Sequence, residues 1–371
     1  MRVLISGGAG FIGSHLADRF LKEGYSVRIL DNLDPRVHLP GASVNIPAGA
    51  EFIRGDVTDR ACLEDALQDV DIVSHQAAYQ DYMLDFSKFF TVNAVGTALL
   101  YEIAVARRLP IKKIIVASSQ AIYGEGQYLC QMHGLVLPPP RTLEQLRKGE
   151  WELCCPTCAD EVTPLLLDER HSNPYNPYGV SKYAEERAAL GLGCLHAIPT
   201  VILRYSITQG RRQSLYNHYS GICRIFVSQA LTNKPLILYE DGLQTRDFVH
   251  IDDVVDANMA VLRNNEADFQ VYNVGSGVAT TVQDYANVLK SRLGQNIECH
   301  IPGQYRRGDN RHSVSSIEKL KALGWKPKRN LEHIIDDFLA WIDSIGGIPD
   351  RIPDAYEDMR RVGVVMTACM S

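Results

Sequence analysis

Short apolar runs and helical periodicity take turns along the first third of the chain. Residues 3–6 read as a mostly apolar strand, and apolar positions then recur at helical spacing over 12–23. Further strand-like runs lie at 27–30, 51–54 and 71–75, with helical patterns at 62–68 and 86–107 and a mostly apolar run at 113–117. Runs of four or five apolar residues between helices predict strands buried on both faces. That is the signature of an α/β protein with a doubly wound parallel sheet and helices on each side.

The alternation breaks over 125–169. This stretch carries Pro138-Pro139-Pro140, a charged helix-like piece at 142–149 and most of the clustered cysteines, and it reads as an insertion that projects from the sheet. Regularity resumes with a helix at 178–190 and a strand at 200–204. From 209 to 348 the pattern predicts a smaller mixed α/β region, with strand-like pieces at 236–239 and 247–251 and helices at 252–263 and 282–293. The expected organisation is a sheet domain in two parts, 1–124 and 170–208, split by the insertion. The region 209–348, some of whose segments return to the sheet, and a tail at 349–371 follow.

The chain has 371 residues, 46% of them hydrophobic and 22% charged, with a formal net charge of −6. A negative balance argues against nucleic acid or an anionic membrane as the main partner. No unbroken run of eighteen apolar residues occurs, so no transmembrane helix is expected. Without a basic leader or small-residue cleavage site, the expected compartment is the cytoplasm. There the nine cysteines would be thiols or metal ligands rather than disulfides.

Gly7, Gly10 and Gly13 fall between the first strand and the first helix. Glycines there permit a tight turn, close approach of backbone to a pyrophosphate, and close helix–strand packing, while the helix N-terminus faces the phosphates. Asp31 ends the second strand, eighteen residues after Gly13. A carboxylate at that point accepts ribose hydroxyls and repels a 2′-phosphate, which favours NAD over NADP. Asp56, after the third strand, is placed to bond an adenine amino group or simply to cap a turn.

Tyr178 and Lys182 lie four residues apart on a predicted helix, hence on one face. A tyrosine with a pKa of ~10 is a poor base at neutral pH, and a nearby ammonium is expected to lower it. Ser119 follows the apolar run 113–117, at the sheet edge where α/β proteins bind ligands. A hydroxyl there can bond a substrate oxygen and pass its proton to Tyr178.

These motifs, with Asp31-Asn32-Leu33, Gly55-Asp56-Val57, His75-Gln76-Ala77-Ala78, Asn93, the run from Ala117 through Ser119 to Gly124, Leu203-Arg204-Tyr205 and the run Arg246 to His250, span most of the chain. In order and spacing the chain resembles an extended short-chain dehydrogenase/reductase of the nucleotide-sugar epimerase and dehydratase group. The run 121–126 and Arg212-Gln213-Ser214-Leu215 are similar to the branch that holds dTDP-L-rhamnose and UDP-glucose 4-epimerases. The resemblance implies a Rossmann-type fold with tightly bound NAD, a nucleotide-diphosphate sugar substrate and a homodimer built through the helices at 86–107 and 178–190. It implies that Ser119, Tyr178 and Lys182 are catalytic. Cofactor contacts would come from Gly7, Gly10, Phe11, Ile12, Gly13, Asp31, Asn32, Asp56, Val57, Gln76, Ala77, Ala78, Tyr178, Lys182 and Tyr205. Asn93 would either touch the cofactor ribose or brace its helix. Gln80, Asp81, Ser119 and Gln120 would lie at the sugar, with Arg246 and Arg306 on the diphosphate, where arginine forks suit phosphate oxygens.

In this group Tyr178 would take the proton of a sugar hydroxyl, usually at C4, as the hydride leaves for NAD. A 4-epimerase returns the hydride to the other face of a 4-keto sugar. A 4,6-dehydratase instead uses an acidic pair directly after the serine position, where this chain has Gln120 and Ala121. That difference favours epimerisation. Asp81, in the polar segment Tyr79-Gln80-Asp81-Tyr82, leaves a different dehydration open, or else caps a helix or binds a sugar hydroxyl.

Within the insertion, Cys130-x-x-His133 and Cys155-x-x-Cys158 form two short-spaced pairs. Four such ligands suit a closed, structural tetrahedral zinc. The alternative is a set of unpaired thiols.

Overall fold

The computed structural model describes residues 1–38, 44–81, 84–215, 217, 221–348 and 359–369, so Tyr82 and much of the expected 349–371 tail lie outside the described residues. The first strand, β1 (Arg2–Ser6), sends alternate side chains to opposite layers. Val3 and Ile5 pack with Leu16 and Phe20 of α1 (Phe11–Lys22). Leu4 packs with buried residues on the other side. The remaining strands of the sheet are β2 (Ser26–Asp31), β3 (Glu51–Arg54), β4 (Ile72–His75), β5 (Lys113–Ser119), β6 (Thr200–Tyr205) and β7 (Gln270–Val274). Their order is β3-β2-β1-β4-β5-β6-β7, and every pairing is parallel. The direction of winding reverses between β1 and β4. The carboxyl ends of these strands therefore border one crevice, where doubly wound sheets bind ligands.

The layer behind Leu4 comprises α2 (Arg60–Ala66), α3 (Phe86–Ala106) and α4 (Pro177–Leu195), through Leu63, Leu100, Tyr101, Ile103 and Ala189. α3, with a π-helical turn at Phe90–Val95, is long and apolar enough to cross a bilayer by length and composition. The sequence reading expected no such segment, because polar residues interrupt its apolar run. Here its inner face is a core face, with Leu100, Tyr101 and Ile103 fully buried.

The smaller region has its own core, built by α5 (Ile222–Leu231), α7 (Val282–Leu293) and α8 (Leu331–Ser344) around Phe226, Tyr285, Leu289 and Phe338. Between α5 and α7 in the chain, α6 (Ile251–Arg263) returns to the main sheet and packs on α1 through Val255 and Met259. The sequence pattern did not single out α5, α8 or β7.

The insertion does not simply project. Its short strands Tyr128–Cys130, Gly134–Val136 and Thr163–Pro164 form an antiparallel sheet. Charged pairs tie it to the smaller region: buried Arg141 reaches Glu240 at 3.0 Å, and buried Arg311 reaches Glu152 at 2.5 Å. Hydropathy gave no warning of this, because both sides of the junction are polar.

Candidate active site

The glycine turn is tight for steric reasons. Gly7 has φ +66°, and a Cβ there would stand 2.7 Å from the Ala77 amide nitrogen; at Gly13 it would stand 2.2 Å from the Gly7 carbonyl oxygen. α1 can thus begin hard against β1. Its N-terminus carries no side-chain cap and no acidic residue in the first turn, an arrangement suited to a dinucleotide pyrophosphate. The Asp31 carboxylate accepts the Ala9 and Leu33 amides at 3.0 and 2.9 Å, joining the end of β2 to the glycine turn. Asn32 donates to Asp56 at 2.8 Å.

One cavity of about 1000 Å³ runs along this edge of the sheet. At one end its wall is Gly7, Gly10, Phe11, Ile12 and Gly13, with Asp31, Asn32, Asp56 and Val57. Gln76, Ala77, Ala78, Gln80 and Asp81 continue it toward Ser119, Gln120, Tyr178 and Tyr205. Arg246 and Arg306 line the same cavity.

Two of the expected residues are not on the cavity wall. Asn93 is fully buried and its amide is engaged within the protein: it accepts the Tyr79 amide at 2.7 Å and donates to the Tyr79 carbonyl and to Ser181. It braces α4 and the 79–81 segment. Lys182 is also buried, with its Nζ 2.5 Å from a Glu185 carboxylate oxygen. Its ammonium also acts on the Tyr178 phenol.

Burial pushes the Tyr178 phenol above the ordinary tyrosine range, while Lys182 and the neighbouring Ser119 hydroxyl pull it back. The expectation of a lowered value therefore does not hold for the chain alone. Desolvation outweighs the ammonium, and Glu185, which sequence reasoning missed, opposes it. Burial lifts the Glu185 carboxyl to about 7, against the pull of Lys182. Behind it, Thr97 links Glu185 to His75, which burial holds near 3 and therefore neutral.

The orientation of α4 follows from local chemistry. Asn176 caps it by accepting the Gly179 amide at 2.7 Å, and Pro177 occupies its first turn. A Cβ on Gly179 would lie 2.5 Å from the Ala121 carbonyl oxygen, so glycine beside Tyr178 lets the helix reach the turn that carries Ser119. Glu186, one turn past Lys182, accepts Ser118 Oγ at 2.5 Å and the Arg204 guanidinium at 2.9 and 2.8 Å. An arginine in an otherwise apolar strand, and a glutamate in register with Tyr178 and Lys182, were the available signals for this pair.

On the cavity wall, Gln120 presents a buried Oε1 with no hydrogen-bond partner among the described residues. Arg36 pairs with Asp81 at 3.4 Å and stacks on Tyr79. The Arg246 guanidinium donates to the Asn310 and Arg311 carbonyls at 2.8 and 3.0 Å and to Asp309 at 3.2 Å. Arg306 stacks on Tyr239. Tyr239, Asp309 and Asn310 also line the cavity, and spacing alone did not point to them as cavity residues.

Cys130, His133, Cys155 and Cys158 come together in the insertion, their ligand atoms all within 4.8 Å of one another.

The profile of the NAD dependent epimerase/dehydratase family matches residues 3–142 and 158–275. A dTDP-L-rhamnose 4-epimerase from Burkholderia thailandensis is 34% identical over 348 residues, covering 92% of this chain and 94% of the relative. The crystal structure of a UDP-glucose 4-epimerase from Thermotoga maritima with UDP-glucose is 28% identical with a TM-score of 0.73, covering 93% of this chain and 99% of the other. A UDP-glucose 4-epimerase from Thermus thermophilus in complex with NAD is 29% identical with a TM-score of 0.71, covering 92% and 99%.

Proposed function

Because the chain belongs to the NAD dependent epimerase/dehydratase family, we propose that it is an NAD-dependent nucleotide-sugar 4-epimerase. The observation that carries this reading is that Ser119 and Tyr178 share the wall of one cavity with the uncapped glycine turn and two arginines. The glycine turn and Asp31 suit NAD, the cofactor in the Thermus thermophilus structure. Bound NAD would supply a reversible hydride acceptor. Ser119 orients the C4 hydroxyl and passes its proton to Tyr178, which holds it until the hydroxyl re-forms. Lys182 stabilises the phenolate from behind. The free Gln120 carbonyl accepts a sugar hydroxyl. Arg246 and Arg306 hold the diphosphate.

Dehydration is not favoured. Gln120 and Ala121 carry no acid or base, and Arg36 engages the nearby Asp81 carboxylate. The test is to incubate the protein with dTDP-, UDP- and GDP-sugars, beginning with dTDP-L-rhamnose and UDP-glucose, and to record product mass and proton spectra. A C4 isomer of unchanged mass is expected. Loss of the mass of one water would overturn the assignment. Arg246→Ala should raise KM for the sugar nucleotide at least tenfold with a smaller change in kcat. A pure kcat defect would refute the diphosphate role.

Two further parts of the reading concern assembly. Phe86, Phe90 and Val95 leave 51%, 38% and 57% of their surface exposed on α3. Such a patch suits a homodimer contact along that helix. Sedimentation of Phe90→Glu should show a shift toward monomer.

The Cys/His cluster suits one structural zinc. Cys130 and Cys158 sulfurs lie 3.7 Å apart, and the His133 Nδ1 is 3.5 Å from both Cys130 and Cys155. A tetrahedron with Zn–S arms of ~2.3 Å has edges of about 3.8 Å, whereas a disulfide is ~2.05 Å. Each knuckle ends on a left-handed residue, Gly134 at φ 70° and Ala159 at φ 61°. Elemental analysis should find one zinc per chain. Its absence would remove the assignment.

A further inference from the structure

We propose that the metal-held knuckle sets the geometry of the arginines that grip the diphosphate, so that zinc occupancy controls affinity for the nucleotide sugar. The inference rests on the zinc and nucleotide-sugar readings above and adds a coupling between them.

The two arms that carry the ligands also carry the anchors. Glu152 lies three residues before Cys155, and Glu125 five before Cys130. Between ligand and anchor, Leu153 and Tyr128 pack with Cys130 and Cys155 in a cluster that Val162 completes. A core of this size does not hold a segment by itself; below roughly 40 residues a metal or a disulfide usually does so. With the ligands joined by a metal, both arms are held in one register.

The anchors converge on Arg311, which is fully buried. Glu152 accepts its guanidinium at 2.5 and 2.9 Å, and Glu125 accepts its backbone amide at 2.9 Å. Arg141, also from the insertion, donates to the Asp309 carbonyl at 2.9 Å. The backbone from Asp309 to Arg311 is thus held from the insertion side. That same backbone orients Arg246, whose guanidinium donates to the Asn310 and Arg311 carbonyls. Three steps therefore lead from the metal ligands to the cavity: knuckle to Glu125 and Glu152, these carboxylates to Arg311, and the 309–311 backbone to Arg246. A charge-assisted hydrogen bond from Arg246 to a phosphate oxygen needs close alignment, so a small shift of this support weakens binding sharply. The glycine turn lies outside this chain of contacts, so cofactor retention is independent of it.

The experiment uses the full chain with its bound cofactor and has two arms. In the first, zinc content is measured, the metal is removed with a chelator, and binding of UDP, dTDP and GDP is followed by calorimetry with and without added zinc. The expected result is at least tenfold weaker binding of the preferred diphosphate after removal, recovery on adding zinc, and unchanged cofactor content and far-ultraviolet circular dichroism. In the second, Glu152→Gln should keep its zinc and its cofactor and lose diphosphate affinity to a similar degree, and it should raise KM rather than lower kcat. If zinc is present and removable yet diphosphate affinity does not change, the coupling is wrong while the metal assignment stands. If no zinc is found, the metal assignment fails and the coupling with it. If the zinc-loaded protein binds none of the three diphosphates, the nucleotide-sugar reading itself fails. Unchanged affinity in Glu152→Gln with zinc retained would overturn the route through Arg311.

Discussion

Tyr178→Phe will lower turnover by about 10²- to 10⁴-fold, the range that a positioned general acid–base contributes, with cofactor content unchanged. The phenylalanine ring fills the same space between Phe89 and the Ser119 turn, because the Tyr178 ring packs edge-on to Phe89 at 6.5 Å between centroids. Only the oxygen is lost, and with it the group that Ser119 meets. The phenol is buried and raised above its ordinary range, so its proton transfer depends on charges that gather when the site is filled. Turnover in the wild-type protein should accordingly rise with pH until the loaded site's tyrosine is ionised, and the residual rate of Tyr178→Phe should lack that limb. A variant retaining near-full turnover would show that another group moves the proton. The check is kcat for C4 inversion, measured beside the absorbance of bound cofactor.

Glu186→Ala will destabilise the fold by about 3–5 kcal/mol, the cost of breaking a buried ion pair by removing one partner. The Glu186 and Arg204 side chains are 2% and 4% exposed, and their contact is a two-pronged fork. Without the carboxylate, Arg204 is left with the Tyr123 hydroxyl and the Glu169 carbonyl, and Ser118 loses its acceptor. The urea midpoint should fall strongly at constant slope. Turnover should fall beyond the loss of folded protein, because the same fork sets the rotation of α4 and hence the place of Tyr178. Glu186→Gln, which keeps an acceptor for Ser118, should lose less on both counts. An unchanged midpoint in the alanine variant would mean that the pair contributes nothing net.

Period and punctuation made most of the doubly wound sheet legible. Strands buried on both faces read as unbroken apolar runs, and the turn at Gly7–Gly13 has a steric requirement that only glycine meets. The wall of the cavity was legible for the same local reason: Gly10, Asp31, Ser119 and Tyr178 each sit at a strand end or on a helix face that sequence spacing specifies. β7 and α6 were harder to place, because their return to the main sheet depends on contacts far along the chain. Asn93 and Lys182 were assigned to the cofactor by family resemblance. In the structure Asn93 bonds Tyr79 and Ser181, and Lys182 pairs with Glu185, contacts between distant segments that spacing does not encode.

The amino-acid sequence alone determined the fold class, the tight glycine turn, the places of Ser119 and Tyr178 at a strand end and on a helix face, and the four clustered Cys/His residues, since each depends on residues near in sequence or on a fixed period. Only the tertiary structure decided that burial outweighs Lys182 at the Tyr178 phenol, that Glu185 and Glu186 divide the two cations of the site between them, and that the insertion is fastened to the arginine end of the cavity through Arg311. The physical reason is that desolvation and ion pairing between distant segments depend on what surrounds a group in space, which no local pattern of apolar and polar residues encodes.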